Sequence, residues 1–60
     1  MRAAEEPIAV GDRVRIVAGD LIGETGVVTE VATGHWALYT LVLDSDGTVV
    51  KTVAQRLQRE

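Results

Sequence analysis

The feature that most constrains this chain is its division into short runs of β-branched and aliphatic residues by turn-forming residues. Turn signals rich in glycine and aspartate recur about every eight to twelve residues. No stretch of about ten residues combines helical periodicity with capping residues. The chain has 60 residues, and a domain of that length buries only about 60% of its unfolded surface. The pattern therefore predicts one small all-β domain rather than a helical bundle.

Four to five short antiparallel strands are predicted. Residues 13–17 alternate charged and apolar side chains, which is typical of a half-buried strand. Asp46-Gly47 suits a hairpin turn, and residues 54–56 are expected to form a short helical turn near the end of the chain. The predicted strands cover residues 13–17, 25–32, 36–43, 48–53 and 57–58.

Closure of these strands into a small barrel would remove the exposed edges of an open sheet. The sequence therefore predicts an SH3-like barrel over residues 8–60. Residues 1–7 are small, acidic and closed by the only proline, and they are expected to form a flexible N-terminal arm.

Charge and composition narrow the classes of function. Six basic residues stand against nine acidic ones, for a net charge of −3. This balance disfavours sequence-independent binding to phosphate backbones, which depends on clustered cations. No apolar run approaches about 18 residues, and the N-terminus lacks the apolar core of a signal peptide. We therefore expect a cytoplasmic location and no membrane association.

Residues 10–31, which read VGDRVRIVAGDLIGETGVVTEV, resemble a KOW motif. The matching positions are Gly11-Asp12 before the first strand, the apolar positions within it, Gly19 at the start of the following loop, and Gly26 before a run of valines. KOW motifs occur in SH3-like barrels of the NusG family of transcription factors and in several ribosomal proteins. The resemblance implies an SH3-like barrel that associates with a protein partner, with RNA or with the transcription machinery.

Gly26 has a physical reason as well, since it lies where a strand is expected to pass close to neighbouring backbone. In NusG-type barrels, aromatic residues in the loop that corresponds to residues 19–25 help to dock protein partners. Here that loop offers Leu21 and Ile22 instead. Ribosomal members of the family are strongly basic, whereas this chain is acidic.

The first functional interpretation is a noncatalytic interaction module for a protein or peptide. It would use the loop 19–25 and the end of the third strand. One of the two loop aliphatics could instead close the end of the barrel, and one of the two aromatic residues could belong to the core. The candidate partner-binding residues are Leu21, Ile22, Trp36 and Tyr39.

The second interpretation is RNA or ribosome association through a basic strip. The alternative is that Arg13 and Arg15 pair with acidic residues nearby, at Asp12, Glu24 or Glu30. A third interpretation is a small accessory subunit of a larger complex. The chain itself is expected to be a monomer or a weak homodimer. The candidate RNA contacts are Arg13, Arg15, Lys51 and Arg56.

Catalytic and metal chemistry find no support in the sequence. There is no cysteine, and His35 is the only histidine, so a metal site of the usual nitrogen and sulfur ligands is not expected. Asp44, Ser45 and Asp46 lack the closing glutamate of a calcium loop and are explained by the hairpin turn. We therefore expect no enzyme activity, no metal and no cofactor.

Overall fold

A computed structural model describes residues 8–60, and it shows an all-β fold. Five antiparallel strands form one open sheet in the spatial order β4-β3-β2-β1-β5. A short 3-10 turn, Ala54–Arg56, joins the last two strands. The strands are β1 (Arg13–Ile16), β2 (Thr25–Ala32), β3 (Leu38–Leu43), β4 (Val49–Val53) and β5 (Leu57–Arg59).

The predicted number and order of elements are confirmed. The bounds of β2 and of the helical turn agree with the prediction, whereas β3 and β4 begin later. Thr48 stays in the turn because its N–H and hydroxyl both donate to the Asp46 carboxylate, at 3.0 and 2.6 Å. Closure into a barrel would require β4 to pair with β5, and in residues 8–60 these two strands form opposite edges of the sheet. The predicted arm, residues 1–7, lies outside the described residues.

One face of the sheet carries the hydrophobic core. On β3 the side chains alternate, so that Tyr39, Leu41 and Leu43 are buried and their neighbours lie on the opposite face. Leu41 packs at the centre and is completely inaccessible to solvent. The buried core residues are Val14, Ile16, Val28, Tyr39, Leu41, Leu43 and Leu57.

A bulge in β2 keeps two valines on the core face. Val28 pairs with Leu41 and Val31 pairs with Tyr39, although strict alternation would place these two valines on opposite faces. The register shifts between Val28 and Glu30, so the extra residue, Thr29, absorbs the change of parity. Val31 then packs against the core.

Gly26 permits the close approach of β2 and β3. A Cβ at this position would lie 2.5 Å from the carbonyl oxygen of Val42, which is a backbone atom and has little freedom to move. The prediction that Gly26 passes close to neighbouring backbone is confirmed. The described part of the chain contains no helix with the length and apolar character needed to cross a membrane.

Candidate functional site

A groove of about 360 Å³ runs between the loop of residues 17–24 and the edge strand β4. The 3-10 turn closes one end of it through Arg56. Its walls combine aliphatic side chains with two cations and one carboxylate. The residues that line this groove are Ile16, Ala18, Gly19, Asp20, Leu21, Val50, Lys51, Thr52 and Arg56.

Backbone hydrogen bonds hold the loop 17–24 in a compact shape. Ile16 and Glu24 continue the β1–β2 pairing, with the N–H of Ile16 donating to the Glu24 carbonyl at 2.8 Å. Within the loop, the N–H of Ile22 donates to the carbonyl of Gly19 at 3.2 Å. Gly19 has a φ of +98°, which suits glycine and few other residues. The loop therefore presents Leu21 from a hydrogen-bonded scaffold.

Arg56 is positioned by the 3-10 turn against this loop. Its backbone carbonyl accepts a hydrogen bond from the N–H of Val17 at 2.8 Å. Its guanidinium lies above Gly19, where a Cβ would come within 2.8 Å of Nη1. The absence of a side chain at Gly19 thus gives Arg56 its place at the end of the groove.

The two cations of the groove have no ion pair within residues 8–60. Neither the Lys51 ammonium nor the Arg56 guanidinium makes a salt bridge or a side-chain hydrogen bond there. Asp20 also lines the groove, so its walls carry two positive charges and one negative charge. The groove is therefore locally cationic on a chain whose net charge is −3.

The arginines of β1 are in the opposite state, because each of them forms an ion pair with an acidic side chain. Arg13 contacts Asp44 at 2.6 Å and Glu60 at 3.9 Å, and Arg15 contacts Glu60 at 2.9 Å. The expectation that these arginines pair is confirmed, but the predicted partners were wrong. Pairing of β1 with β5 brings Glu60 alongside, with its N–H donating to the Arg13 carbonyl at 2.9 Å.

Asp44 reaches Arg13 because the turn after β3 packs against the start of β2. The N–H of Asp44 donates to the carbonyl of Thr25 at 2.9 Å. Hydrogen bonds from the Thr25 hydroxyl at 2.8 Å and from the Arg13 guanidinium lower the pKa of Asp44. The hydroxyl and N–H of Thr48 lower the pKa of Asp46 in the same turn. Both carboxylates thus stabilise local structure.

The structure divides the four predicted partner-binding residues. Leu21 lines the groove and is 38% exposed, and Ile22 beside it is 65% exposed. Trp36 is 72% exposed in the loop between β2 and β3, away from the groove lining, with the His35 ring 6.4 Å from its own. Tyr39 is 6% exposed and belongs to the core, so its side chain is not part of the candidate binding surface.

The four predicted RNA contacts do not form one strip. Lys51 and Arg56 line the groove, and neither Arg13 nor Arg15 lies on it. Arg13 is on β1 and Lys51 is on β4, three strands away in the sheet order, which corresponds to about 14 Å. The sequence pattern showed the arginine alternation but could not show which strands lie between the cations.

Sequence reasoning missed the apolar and polar lining contributed by Val50, Thr52 and Asp20. The alternation of residues 49–53 contains the signal for the first two, since they share one face of a strand. Which loop covers that face depends on the fold. Residues 8–60 contain no group of three histidine, cysteine or acidic side chains that would hold a metal ion.

Comparison with known proteins does not extend these observations. No protein-family model matches the chain. No curated protein matches it either.

Proposed function

We propose that this chain is a noncatalytic interaction module, built as an SH3-like barrel related to KOW domains. Its partner is a protein or peptide segment that carries an apolar side chain next to a carboxylate. The groove beside β4 is the binding site. The observation that supports the proposal is the pair of cations, Lys51 and Arg56, which make no ion pair within residues 8–60 and line the groove together with the exposed side chain of Leu21.

Binding would bury the aliphatic part of the groove. Leu21 and Val50 provide the apolar walls, and Ile22 extends the apolar surface at the loop tip. The groove volume of about 360 Å³ is near the lower end for ligand pockets, which suits one or two side chains of a peptide. Arg56, whose guanidinium lies above Gly19 at the end of the groove, would orient the segment by pairing with its carboxylate. Lys51, on the edge strand that borders the groove, would add positive charge nearby.

The orienting role falls to Arg56 rather than to Arg13 and Arg15. Each β1 arginine already has a carboxylate within 3 Å, so an incoming acidic group would have to displace it. Trp36 provides a second, separate contact in this proposal. A tryptophan that is 72% exposed is a suitable anchor, because this residue type is enriched among the dominant contacts of protein interfaces.

The test is selection of peptides from a random phage-displayed library on the immobilised full chain. We expect the selected peptides to share an apolar and an acidic residue and to bind with micromolar affinity, on the order of −8 kcal/mol. Binding by the selected peptide should weaken at least about tenfold in a Leu21→Ala, Ile22→Ala double variant and in Arg56→Gln.

Arg15→Gln is the matched control, because its cation lies outside the groove and should leave peptide affinity unchanged. Retention of full affinity by the Leu21→Ala, Ile22→Ala variant, with the fold intact by circular dichroism, would contradict the proposal. A separate Trp36→Ala variant shows whether the second contact belongs to the same partner.

RNA association is the alternative, and it is favoured by the same two cations, which have no ion pair with any described residue. It predicts that a random-sequence single-stranded RNA binds the chain and that affinity falls steeply with salt, in proportion to the phosphates contacted. Fluorescence anisotropy at low and moderate salt measures this directly. Binding that is strong, salt-dependent and lost in a Lys51→Glu, Arg56→Glu variant would move the function to RNA, whereas flat or absent binding supports the peptide.

A further inference from the structure

The face of β2, β3 and β4 that points away from the core carries a regular pattern, and we name it the outer face. The strand register aligns its side chains in three rows across the sheet. Apolar side chains form the two flanking rows, and polar side chains form the central one. The rows are Val27-Val42-Val49, Glu30-Thr40-Lys51 and Ala32-Leu38-Val53.

The flanking rows leave aliphatic surface in contact with solvent. Val49 is 61% exposed and Leu38 is 42% exposed, and Val27, Val42 and Val53 are half-buried. Isolated exposed aliphatics are ordinary, but two aligned rows place several apolar side chains on one face, on either side of the polar row. Apolar surface gathered on one face in this way indicates an interaction site. This surface lies on the opposite side of the sheet from the core.

The central row has opposite charges at its two ends. Glu30 lies on β2 and Lys51 lies on β4, with Thr40 between them. Within residues 8–60, neither side chain makes an ion pair or a hydrogen bond. The outer face therefore presents an acid and a base that have no ion-pair partner among residues 8–60, and the two lie two strands apart, about 10 Å.

We propose that the outer face binds a second copy of this chain. A two-fold axis parallel to the strands and above β3 stacks each row on the same row of the partner. This rotation lays β2 of one copy over β4 of the other. Glu30 therefore lies opposite the partner's Lys51, and Lys51 lies opposite the partner's Glu30. Leu38 and Val42 meet their own counterparts. Sheets packed face to face lie about 10 Å apart, a distance that extended glutamate and lysine side chains span together.

Charge decides between this arrangement and the other symmetric ones. A two-fold axis that runs across the strands, above the central row, would place Glu30 opposite the partner's Glu30. The same axis would place Lys51 opposite the partner's Lys51, so that like charges meet. Antiparallel pairing of two β4 edges centred on Lys51 would set two ammonium groups directly opposite, which is unfavourable. The row-on-row arrangement alone among these three pairs each charge with its opposite, and an interface that uses one patch twice is what two-fold symmetry requires.

The test is sedimentation equilibrium of the full chain from about 10 µM to about 1 mM, a range in which a weak dimer with a dissociation constant near 100 µM would be resolved. Val49→Lys should weaken dimerisation at least about tenfold. Ile22→Lys is the matched control, because Ile22 at 65% is exposed to a similar degree as Val49 at 61% but lies in the loop 17–24, and it should leave the dimer unchanged. Circular dichroism confirms that both variants fold.

Charge reversal gives the sharper test. Glu30→Lys and Lys51→Glu should each weaken the homodimer by about tenfold or more, because each creates two like-charged contacts. An equimolar mixture of the two variants should dimerise again as a heterodimer, since every contact across the interface then joins opposite charges. Lys51 also lines the groove, so Glu30→Lys, which lies off the groove, separates this proposal from the proposed function.

Three results would overturn the inference. The first is a monomer throughout the concentration range. The second is a dimer that is insensitive to Glu30→Lys and Val49→Lys, as pairing of β4 edges would leave Glu30 uninvolved. The third is failure of the variant mixture to recover dimers. None of these outcomes bears on peptide binding at the groove, which the Leu21 and Arg56 variants test separately.

Discussion

The surface over β1 and the groove beside β4 both carry two cations, but the two regions use them differently. Over β1, Arg13 and Arg15 share the carboxylates of Asp44 and Glu60 at distances down to 2.6 Å. In the groove, Lys51 and Arg56 line an open space and have no such partner in residues 8–60. The ion pairs of the first region link β1 to Asp44 in the turn after β3 and to Glu60, whereas the second region contains the proposed peptide site.

Strand register decides which of these cations form ion pairs. Arg13 and Asp44 are 31 positions apart in the sequence, and Arg15 and Glu60 are 45 apart. Among the described residues, the acidic side chains closer along the chain, Asp12, Glu24 and Glu30, do not pair with them. The cations that look most prominent in the sequence, because they alternate on one strand, are therefore the ones already occupied.

Substitution of Gly26 should break both regions together and gives the largest expected effect. A Cβ at Gly26 meets the backbone oxygen of Val42 at 2.5 Å, so β2 and β3 would have to separate. We expect Gly26→Ala to lower the free energy of unfolding by about 3 kcal/mol, measured by urea denaturation. A loss below about 1 kcal/mol would show that the sheet relaxes easily at this crossing.

Substitution of Gly19 should disturb the groove alone. Gly19→Ala imposes a left-handed backbone on alanine and displaces the Arg56 guanidinium. We expect a loss of about 1 kcal/mol in the free energy of unfolding, together with weaker binding of the peptide selected on the wild-type chain. Gly23→Ala is the control, because its φ of +97° gives the same strain with open space around the new methyl group. Equal loss of peptide affinity in both variants would show that the position of the Arg56 guanidinium does not contribute to peptide binding.

Neutralising one cation in each region sharpens the contrast further. Arg13→Gln should lower the free energy of unfolding by a few tenths to about 1 kcal/mol, the usual contribution of an exposed ion pair. Arg56→Gln keeps the aliphatic stem above Gly19 and should leave unfolding unchanged to within about 0.5 kcal/mol. Thermal melts of the two variants at low salt measure the difference. The reverse order would show that the groove cation, rather than the β1 arginine, stabilises the fold.

The pH dependence of stability should report the β1 region, with the smallest effect. The pKa of Asp44 is lowered in the folded state by Thr25 and Arg13, so the ionised carboxylate stabilises the fold. That stabilisation is complete above the unfolded pKa, about 3.9, and is lost as the pH falls through the lower folded value. Thermal melts across this range should show a shallower acid decline for Asp44→Asn than for the wild type. Parallel curves would exclude a contribution from Asp44.

Local sequence signals predicted the elements well where a single physical factor dominates. The β-branched residues of β2 predicted its bounds, and Asp46-Gly47 predicted the turn after β3. Prediction of β3 extended too far, because Trp36 is apolar and continues the pattern although it lies in the loop. Apolar character indicates a strand or an exposed anchor equally well, and only packing separates the two.

The candidate site was predictable in part. Leu21, Lys51 and Arg56 were each singled out from the sequence, but under two different functions, and the structure brings the three to one groove. Tyr39 was assigned to the surface and belongs to the core, because a residue's face depends on strand parity and the sequence did not define where β3 begins. The bulge at Thr29 likewise changes which side chains of β2 face the core, and strict alternation in the sequence does not indicate it.

The sequence by itself determined an all-β chain, its turns, its glycine at the close strand crossing and its acidic balance, because these depend on local conformational preference and composition. The tertiary structure alone decided which cations are paired, which apolar residues face solvent and which loop meets which strand. These properties depend on contacts between residues 30 or more positions apart, and such contacts are set by the register of the whole sheet rather than by any local segment.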